Sequence, residues 1–407
     1  MRILFISSNS SSRGGGEDFI IYLARAFNKS YIKNIFGIYS NKNYMNGFVK
    51  KIEKYTEKII RVDYKQLSER YFRFLSSSFD IIQIFKVLKA IDNISPNLII
   101  INQQYDEDAL DIIISSFIYR LLNIFSSVKI VCIIHMPRVE NKIRNQRFGY
   151  LRYISLVFIY GFLKPYFFLT SQECLEEFKK YYFLNKKNSF LLKSPLPDIK
   201  KNLNKEYSLR VINKSKIKDH EKIKLNNWVK SKRQIILIGC QMKTQKNPLF
   251  ALSCWVNLRN VYKSEACLLI IGDGPLKNEI SERISKLNKE NIQDTLQINW
   301  VNDLSSYILI SDLLLMPSAF EGMNLTLLEC IAYEKEIILS NFEGISELIK
   351  FTKSCTQINN YDEIIWSRII HKKLSEKLNN QTNNLNSKFI SYYSDYECVK
   401  SIQKRIN

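Results

Sequence analysis

Between residues 317 and 329 the chain reads Pro317-Ser318-Ala319-Phe320-Glu321-Gly322-Met323-Asn324-Leu325-Thr326-Leu327-Leu328-Glu329. An apolar run, Leu313 to Met316, ends just before this stretch, and helical apolar spacing begins near Asn324. A helix N-terminus offers unpaired N–H groups and about half a positive charge, which suits a diphosphate. Glu321 falls in the turn before that terminus and Glu329 in the second helical turn. Two carboxylates would repel a phosphate set against them. They suit hydroxyl groups instead, one set on a sugar and one on a ribose. Taken alone, the Glu-x7-Glu spacing is as readily a surface acid and a helix acid at chance separation.

The neighbouring loops change that balance. Gly272-Asp273-Gly274-Pro275 follows the apolar run ending at Ile271, and Trp300-Val301-Asn302-Asp303 follows another. Tyr307 and Ser311-Asp312 lead into Leu313, and Ser340-Asn341-Phe342-Glu343-Gly344-Ile345-Ser346-Glu347 comes after the next run. Most of these loops sit past the C-terminal end of an expected strand, where open α/β sheets bind ligands. In the front half, Ser12-Arg13-Gly14-Gly15-Gly16-Glu17 separates the first strand from an amphipathic helix, and glycines there let backbone approach a phosphate or a sugar. His135 follows the run Lys129 to Ile134. A lone histidine is more often structural, but this strand-end position favours contact with a ligand. Asp106-Glu107-Asp108 has a spacing that could hold a divalent cation. That use leaves Glu321 and Glu329 unexplained, so these acids are read as the solvated start of a helix.

Strands must position these loops. The apolar runs predict strands at Ile3–Ser7, Leu98–Asn102, Lys129–Ile134 and Phe167–Thr170, then at Gln234–Gly239, Ala266–Ile271, Thr295–Trp300, Leu313–Met316 and Glu336–Ser340. Helical patterns lie between them, as in Asp18–Phe27, Leu249–Leu258, Leu276–Leu287 and Leu325–Ala332. The alternation predicts an α/β fold with parallel sheets and helices on both faces. It breaks after Pro195-Leu196-Pro197 in a run dense in Lys and Asn, and restarts at Gln234. The expected organisation is a Rossmann-like domain at 1–200, a linker region at 201–233 and a second Rossmann-like domain at 234–380. A tail at 381–407 is expected to be helical, docking Phe389, Tyr392, Tyr393, Tyr396, Val399 and Ile402 as an aromatic stripe.

Composition narrows the classes. The 407 residues are 46% hydrophobic with 12 Gly and 8 Pro, which excludes a disordered or collagen-like chain. Eight Cys are scattered singly without a Cys-x-x-Cys pair, which predicts neither zinc site nor disulfide framework and fits a reduced, cytoplasmic setting. The start is not a signal peptide, and the greasiest later stretch, 154–163, falls well short of the ~20 apolar residues of a membrane span. The net charge is +21, with 30 basic and 17 acidic residues in positions 1–200. Nucleic acid and an anionic membrane face are both partners of such a charge, but no nucleic-acid-binding motif accompanies it. Lys50, Lys51, Lys54, Lys58, Arg61, Lys65, Arg70 and Arg73 interleave with aromatic and aliphatic residues over 48–90. That pattern reads as an interfacial helix on anionic lipid or as an ordinary solvated helix face.

Residues 234–350 resemble the C-terminal, nucleotide-sugar-binding domain of glycosyltransferase family 4, which has the GT-B fold. The resemblance rests on the order and spacing of Gln245-Lys246-Asn247-Pro248, Gly272-Asp273-Gly274-Pro275, Asp312, Pro317-Ser318, Glu321-Gly322, Glu329, Gly344 and Glu347. It implies two Rossmann-like domains whose parallel sheets face a central cleft, with the tail helix packing back across the domains. It implies a retaining, metal-independent transfer of a hexose from a nucleoside-diphosphate sugar to a glycan acceptor, lipid-linked, in surface polysaccharide assembly of capsule or O-antigen type. No cofactor beyond the donor substrate is implied, and the setting is cytoplasmic and peripheral to the membrane. By carry-over, Glu321 holds the donor sugar, Glu329 the ribose, and Lys246 neutralises the leaving diphosphate. Backbone N–H groups of Gly322, Met323, Asn324 and Leu325 bind diphosphate and sugar, Gly15 and Gly16 approach the donor, and His135 contacts its sugar. The family usually has an Arg five or six residues before the Lys. Cys240 and Gln241 stand there instead, with Lys243 as the nearest substitute cation. The other class of reading is a non-catalytic nucleotide-sugar-binding or scaffold subunit.

Overall fold

The structure is a computed structural model. It describes residues 1–7, 15–30, 34–64, 80–136, 149–202, 204–289, 294–342, 344–377 and 385–406. The chain divides into two compact units, Met1–Leu196 with Ser391–Asn407, and Pro197–Ile390.

The front unit holds strands β1 (Ile3–Ser7), β2 (Ile35–Ser40), β3 (Lys58–Val62), β4 (Leu98–Gln103), β5 (Lys129–Ile134), β6 (Tyr166–Leu169) and β7 (Ser189–Leu191). They form one sheet in the order β3-β2-β1-β4-β5-β6-β7, every pairing parallel. Helices α1 (Gly15–Lys29), α2 (Asn46–Ile52), α3 (Ile81–Asp92), α4 (Leu110–Leu122), α5 (Gly149–Leu163) and α6 (Gln172–Tyr181) connect them. The central strands β1, β4 and β5 are almost wholly buried apolar runs, as a parallel sheet covered on both faces requires. One core sets Phe19, Leu23 and Phe27 of α1 against Phe5, Ile100 and Val131, and the other sets α3, α4 and α5 against Ile99, Ile101 and Cys132.

The rear unit opens with α7 (Lys205–Asn213) and α8 (Asp219–Lys230). Its strands are β8 (Ile235–Gly239), β9 (Cys267–Ile271), β10 (Thr295–Ile298), β11 (Leu313–Met316), β12 (Glu336–Ser340) and β13 (Cys355–Ile358). They lie in the order β10-β9-β8-β11-β12-β13, again all parallel. Helices α9 (Pro248–Tyr262), α10 (Lys277–Lys289), α11 (Ser305–Ile310), α12 (Leu325–Ala332), α13 (Ile345–Ile349) and α14 (Glu363–Lys377) complete it. Trp255 and Trp366 are fully buried in its core beside Ile236, Leu268 and Leu313. The α/β class with two parallel sheets is the one the sequence predicts.

Several local expectations need correction. Residues 201–233 are not a bare linker: α7 and α8 belong to the rear unit and bury Leu209, Ile212, Leu225 and Trp228. Lys205 on α7 pairs with Asp312 at 2.8 Å, and Asp312 Oδ2 accepts from Ile235 N at 2.9 Å, fixing the start of β8. The tail is two helices, α15 (Ser387–Tyr392) and α16 (Asp395–Ile406). Phe389, Tyr393, Val399 and Ile402 are buried as expected, but Tyr396 is exposed. α16 packs on α1, where Arg25 pairs with Asp395 at 2.8 Å. Residues 48–90 are not one interfacial helix: Lys58 and Arg61 lie on the edge strand β3, while Lys65, Arg70 and Arg73 lie outside the described residues.

Candidate functional site

In the rear unit, three strand ends build the site. The chain leaves β8 through Cys240 to Lys246, and the loop after β9 must pass close to it. At Gly272 and Gly274 the φ angles are +154° and +152°, and a Cβ on Gly274 would stand 2.5 Å from the Met242 carbonyl oxygen. Only glycine fits there without displacing backbone. Gln245 then ties this loop to the turn after β11: Ala319 N donates to Gln245 O at 2.8 Å, and Gln245 Nε2 donates to Phe320 O at 2.8 Å.

That tie brings Lys246 onto Glu321. Lys246 Nζ lies 2.5 Å from Glu321 Oε1 and also reaches Oε2, and the carboxylate is almost entirely buried. Asn324 closes the group. Its Nδ2 donates to Glu321 Oε1 at 3.2 Å, while its Oδ1 accepts from Leu327 N at 3.1 Å as the N-cap of α12. The ammonium has three donors, so two contacts with Glu321 leave one for an incoming anion. Gly322, Met323, Asn324 and Leu325 run half-buried into the helix N-terminus. Glu329 follows in α12, 8% exposed, and accepts from Ser305 Oγ at 3.1 Å. Cys240 is half-buried beside Lys246 and Glu321, and burial pushes its thiol up to about 12. It is therefore neutral at physiological pH and supplies no positive charge. Lys243 is exposed on the same loop.

In the front unit, His135 directly follows β5 and is buried. Its Nε2 lies 2.8 Å from Asn102 Oδ1, and the Phe19 ring meets it edge-on at 4.8 Å. Burial lowers its pKa to about 4, so the imidazole is neutral. Asn102 Nδ2 reaches the carbonyl of Gly16 at 3.3 Å. Gly15 and Gly16 form the first residues of α1, and a Cβ on Gly15 would meet nothing within 4 Å. Ser12, Arg13 and Gly14 lie outside the described residues, as does Glu343.

The structure thus gathers Lys246, Glu321 and Asn324 in one contact group and links His135 to Gly16. Asn102, Gln245 and Ser305 were not singled out as site residues from the sequence, although Asn102 carried a signal as the one polar residue ending an otherwise apolar run. The reading of Asp106–Asp108 as a solvated helix start is overturned. Asp106 and Glu107 are buried, and Asp106 Oδ2 accepts from Tyr182 OH at 2.6 Å. Among the described residues, no group of three or more His, Cys, Asp or Glu is placed to hold a metal ion.

Comparison with known proteins bears on the same segment. Residues 218–391 match the family model "Glycosyl transferases group 1". Over 164 residues the chain is 28% identical to the UDP-Gal:alpha-D-GlcNAc-diphosphoundecaprenol alpha-1,3-galactosyltransferase of Escherichia coli, covering 39% of this chain and 41% of that one. It is 29% identical to the amylovoran biosynthesis glycosyltransferase AmsD of Erwinia amylovora over 30% of this chain and 34% of that protein. These matches span less than half the length of either curated relative. The crystal structure of Anabaena Alr3699/HepE in complex with UDP-glucose superposes with a TM-score of 0.70 at 12% identity, covering 100% of this chain and 98% of that one. WaaG, a glycosyltransferase involved in lipopolysaccharide biosynthesis, gives 0.63 at 13% identity over 99% and 98%. At such identities these structures show the fold, which is the GT-B class expected from the sequence. Over residues 218–391 the chain is similar to the group 1 glycosyltransferases.

Proposed function

We propose that the protein is a family 4, retaining glycosyltransferase that moves a hexose from a nucleoside-diphosphate sugar to a hydroxyl of a lipid-linked glycan, in assembly of a capsule or O-antigen type polysaccharide. The observation that carries this reading is the contact group of Lys246, Glu321 and Asn324 at the N-terminus of α12. A buried carboxylate, a partly satisfied ammonium and a helix N-terminus lie together, as a sugar hydroxyl, a leaving diphosphate and its negative charge would require. The relatives' printed activities, transfer from UDP-Gal to a diphosphoundecaprenol-linked sugar and amylovoran biosynthesis, support the choice of donor class and acceptor.

Residue roles follow. Glu321 accepts hydroxyls of the donor sugar, and Lys246 meets the diphosphate as charge builds on the leaving oxygen. The N–H groups of Gly322, Met323, Asn324 and Leu325 hold diphosphate and sugar. Glu329, oriented by Ser305, accepts the ribose hydroxyls. In the front unit, His135 is assigned to the donor sugar and Gly15 and Gly16 to its approach, with a front acceptor domain and a rear donor domain. The helix N-terminus and Lys246 supply positive charge, so no metal is required. The place of action is the cytoplasmic side, peripheral to the membrane.

A donor screen tests the reading. UDP-, GDP- and ADP-sugars are offered with a chelator present, and binding and nucleoside diphosphate release are measured. Binding with release that Glu321→Gln abolishes is the expected result, and no binding to any donor overturns the reading. Binding without release, even with a diphosphopolyprenol-linked sugar, selects the second reading, a non-catalytic nucleotide-sugar-binding subunit. The neutral Cys240 where the family carries a cation favours that alternative.

A further inference from the structure

Three consecutive connections of the front unit expose large apolar side chains. After α4, Leu122 is 72% exposed and Phe125 fully exposed; on α5, Phe158 and Phe162 are 68% and 75% exposed; before β7, Phe183 is 57% exposed. All three connections lead into the N-terminal ends of neighbouring strands, β5, β6 and β7. They touch one another. Phe117 of α4 and Phe162 of α5 have ring centroids 5.7 Å apart, Arg120 donates to Leu163 O at 2.8 Å, and Leu184 packs on Gly161. The apolar side chains therefore share one face.

Basic side chains frame that face. Arg120 on α4 and Lys164 after α5 are its cations in the first two connections. From Phe178 to Pro197 it has five Lys and no acid. Lys164, Lys186 and Lys187 are exposed beside the apolar residues. An exposed apolar patch of this kind marks an interaction surface. Aromatic and aliphatic side chains framed by lysines fit a bilayer interface, where the rings enter the headgroup region and the ammonium groups meet anionic lipid. Among the described residues no helix is long and apolar enough to cross a membrane, so a contact of this type lies on the surface.

We propose that the face formed by the ends of α4 and α5 and the segment 183–187 is a docking surface for an anionic lipid bilayer. It deepens the peripheral placement under the proposed function by naming its residues, but it rests on exposure and charge alone. The donor site plays no part in it.

Vesicle flotation of the full chain tests it, with equal parts phosphatidylglycerol and phosphatidylcholine against phosphatidylcholine alone. Wild type should float with the anionic vesicles, and high salt should release it. Phe125→Ser with Phe162→Ser should lower partitioning at least tenfold. Lys186→Glu with Lys187→Glu, which touches no core residue, should lower it more than about twentyfold, at about fivefold for each lysine charge removed. Val261→Ser, an exposed apolar position of the rear unit, should leave it unchanged. No flotation of wild type at low salt overturns the proposal, as does flotation of both double variants at the wild-type level. A wild-type dimer that Phe125→Ser with Phe162→Ser turns into monomer, without lipid binding, assigns the face to self-association and also overturns it. Donor binding, measured without vesicles, reports separately on the proposed function.

Discussion

Asn102 fixes the tautomer of His135. The Gly16 carbonyl can only accept, so the Asn102 amide nitrogen must face it, and Oδ1 must face the imidazole. His135 Nε2 therefore carries the proton and donates it to Asn102, which leaves the Nδ1 lone pair as the ring's acceptor. One amide thus holds the ring, its tautomer and the first turn of α1 in register.

Replacing Asn102 by Asp puts a carboxylate against the imidazole and favours its charged form. The His135 pKa should rise from about 4 towards or above its ordinary 6.5. With only three histidines in the chain, a proton NMR titration with His135→Gln as the assignment control reads this directly. An unchanged titration would show that Asn102 does not face the ring.

The same burial makes stability depend on pH. The pKa of His135 is depressed on folding, so its contribution is full above pH 6.5 and is lost as pH falls towards 4. The difference in unfolding free energy between wild type and His135→Gln, measured in urea at pH 7 and pH 5, should shift by about 2 kcal/mol against wild type at pH 5.

Lys246 and Glu321 should behave as a unit. Lys246→Ala should lower the rate of nucleoside diphosphate release by about a hundredfold or more, as loss of a group that stabilises developing charge does. Glu321→Gln should cost a similar factor, and the double variant should be little worse than either single one. Effects that simply multiply would show that the ion pair is not the working arrangement.

Glu329→Ala removes an acceptor expected to bind ground and transition states alike. Donor affinity should fall roughly tenfold or more while the turnover rate at saturating donor changes much less. Calorimetric titration with the donor, beside initial rates, separates the two.

Gly274→Ala should destabilise the rear unit. A left-handed backbone conformation and a carbonyl oxygen 2.5 Å from the new Cβ together cost at least about 2 kcal/mol, a drop of about 5 °C or more in Tm. Gly15→Ala, in open space, should change Tm by far less.

The central strands of both sheets were legible because burial on both faces demands unbroken apolar runs, as in Leu98–Ile101 and Ile235–Ile238. The edge strands β3, β7 and β13 were not: Lys58 and Arg61 interrupt one, Ser189–Leu191 is only three residues, and Cys355-Thr356-Gln357-Ile358 is half exposed. β2 is central in position, but Gly37 and a terminal Tyr39-Ser40 blur its run. α7 and α8 were hidden because each buries few apolar side chains among many Lys and Asn, so their periodicity is faint. At the site, the spacing of Lys246, Glu321 and Glu329 was readable because motif order places Lys246 and Glu321 in loops that follow strands and Glu329 in the helix after the second loop. The contact of Asn102 with His135 was not, because it joins two strands whose adjacency no local pattern states.

The return of α16 to the front unit has a consequence for synthesis. Cys398, Val399, Ile402 and Ile406 belong to the same core as Phe5 and Phe27, yet the whole rear unit is made in between. At about 5–20 residues per second, the ribosome needs roughly 10–40 s to pass from Leu196 to Ser391. Through that interval the apolar side of α1 that α16 will cover lies open, and Arg25 lacks Asp395. The rear unit is contiguous in sequence and is free to fold within that time, so the half of the protein that is translated first is the half that is finished last.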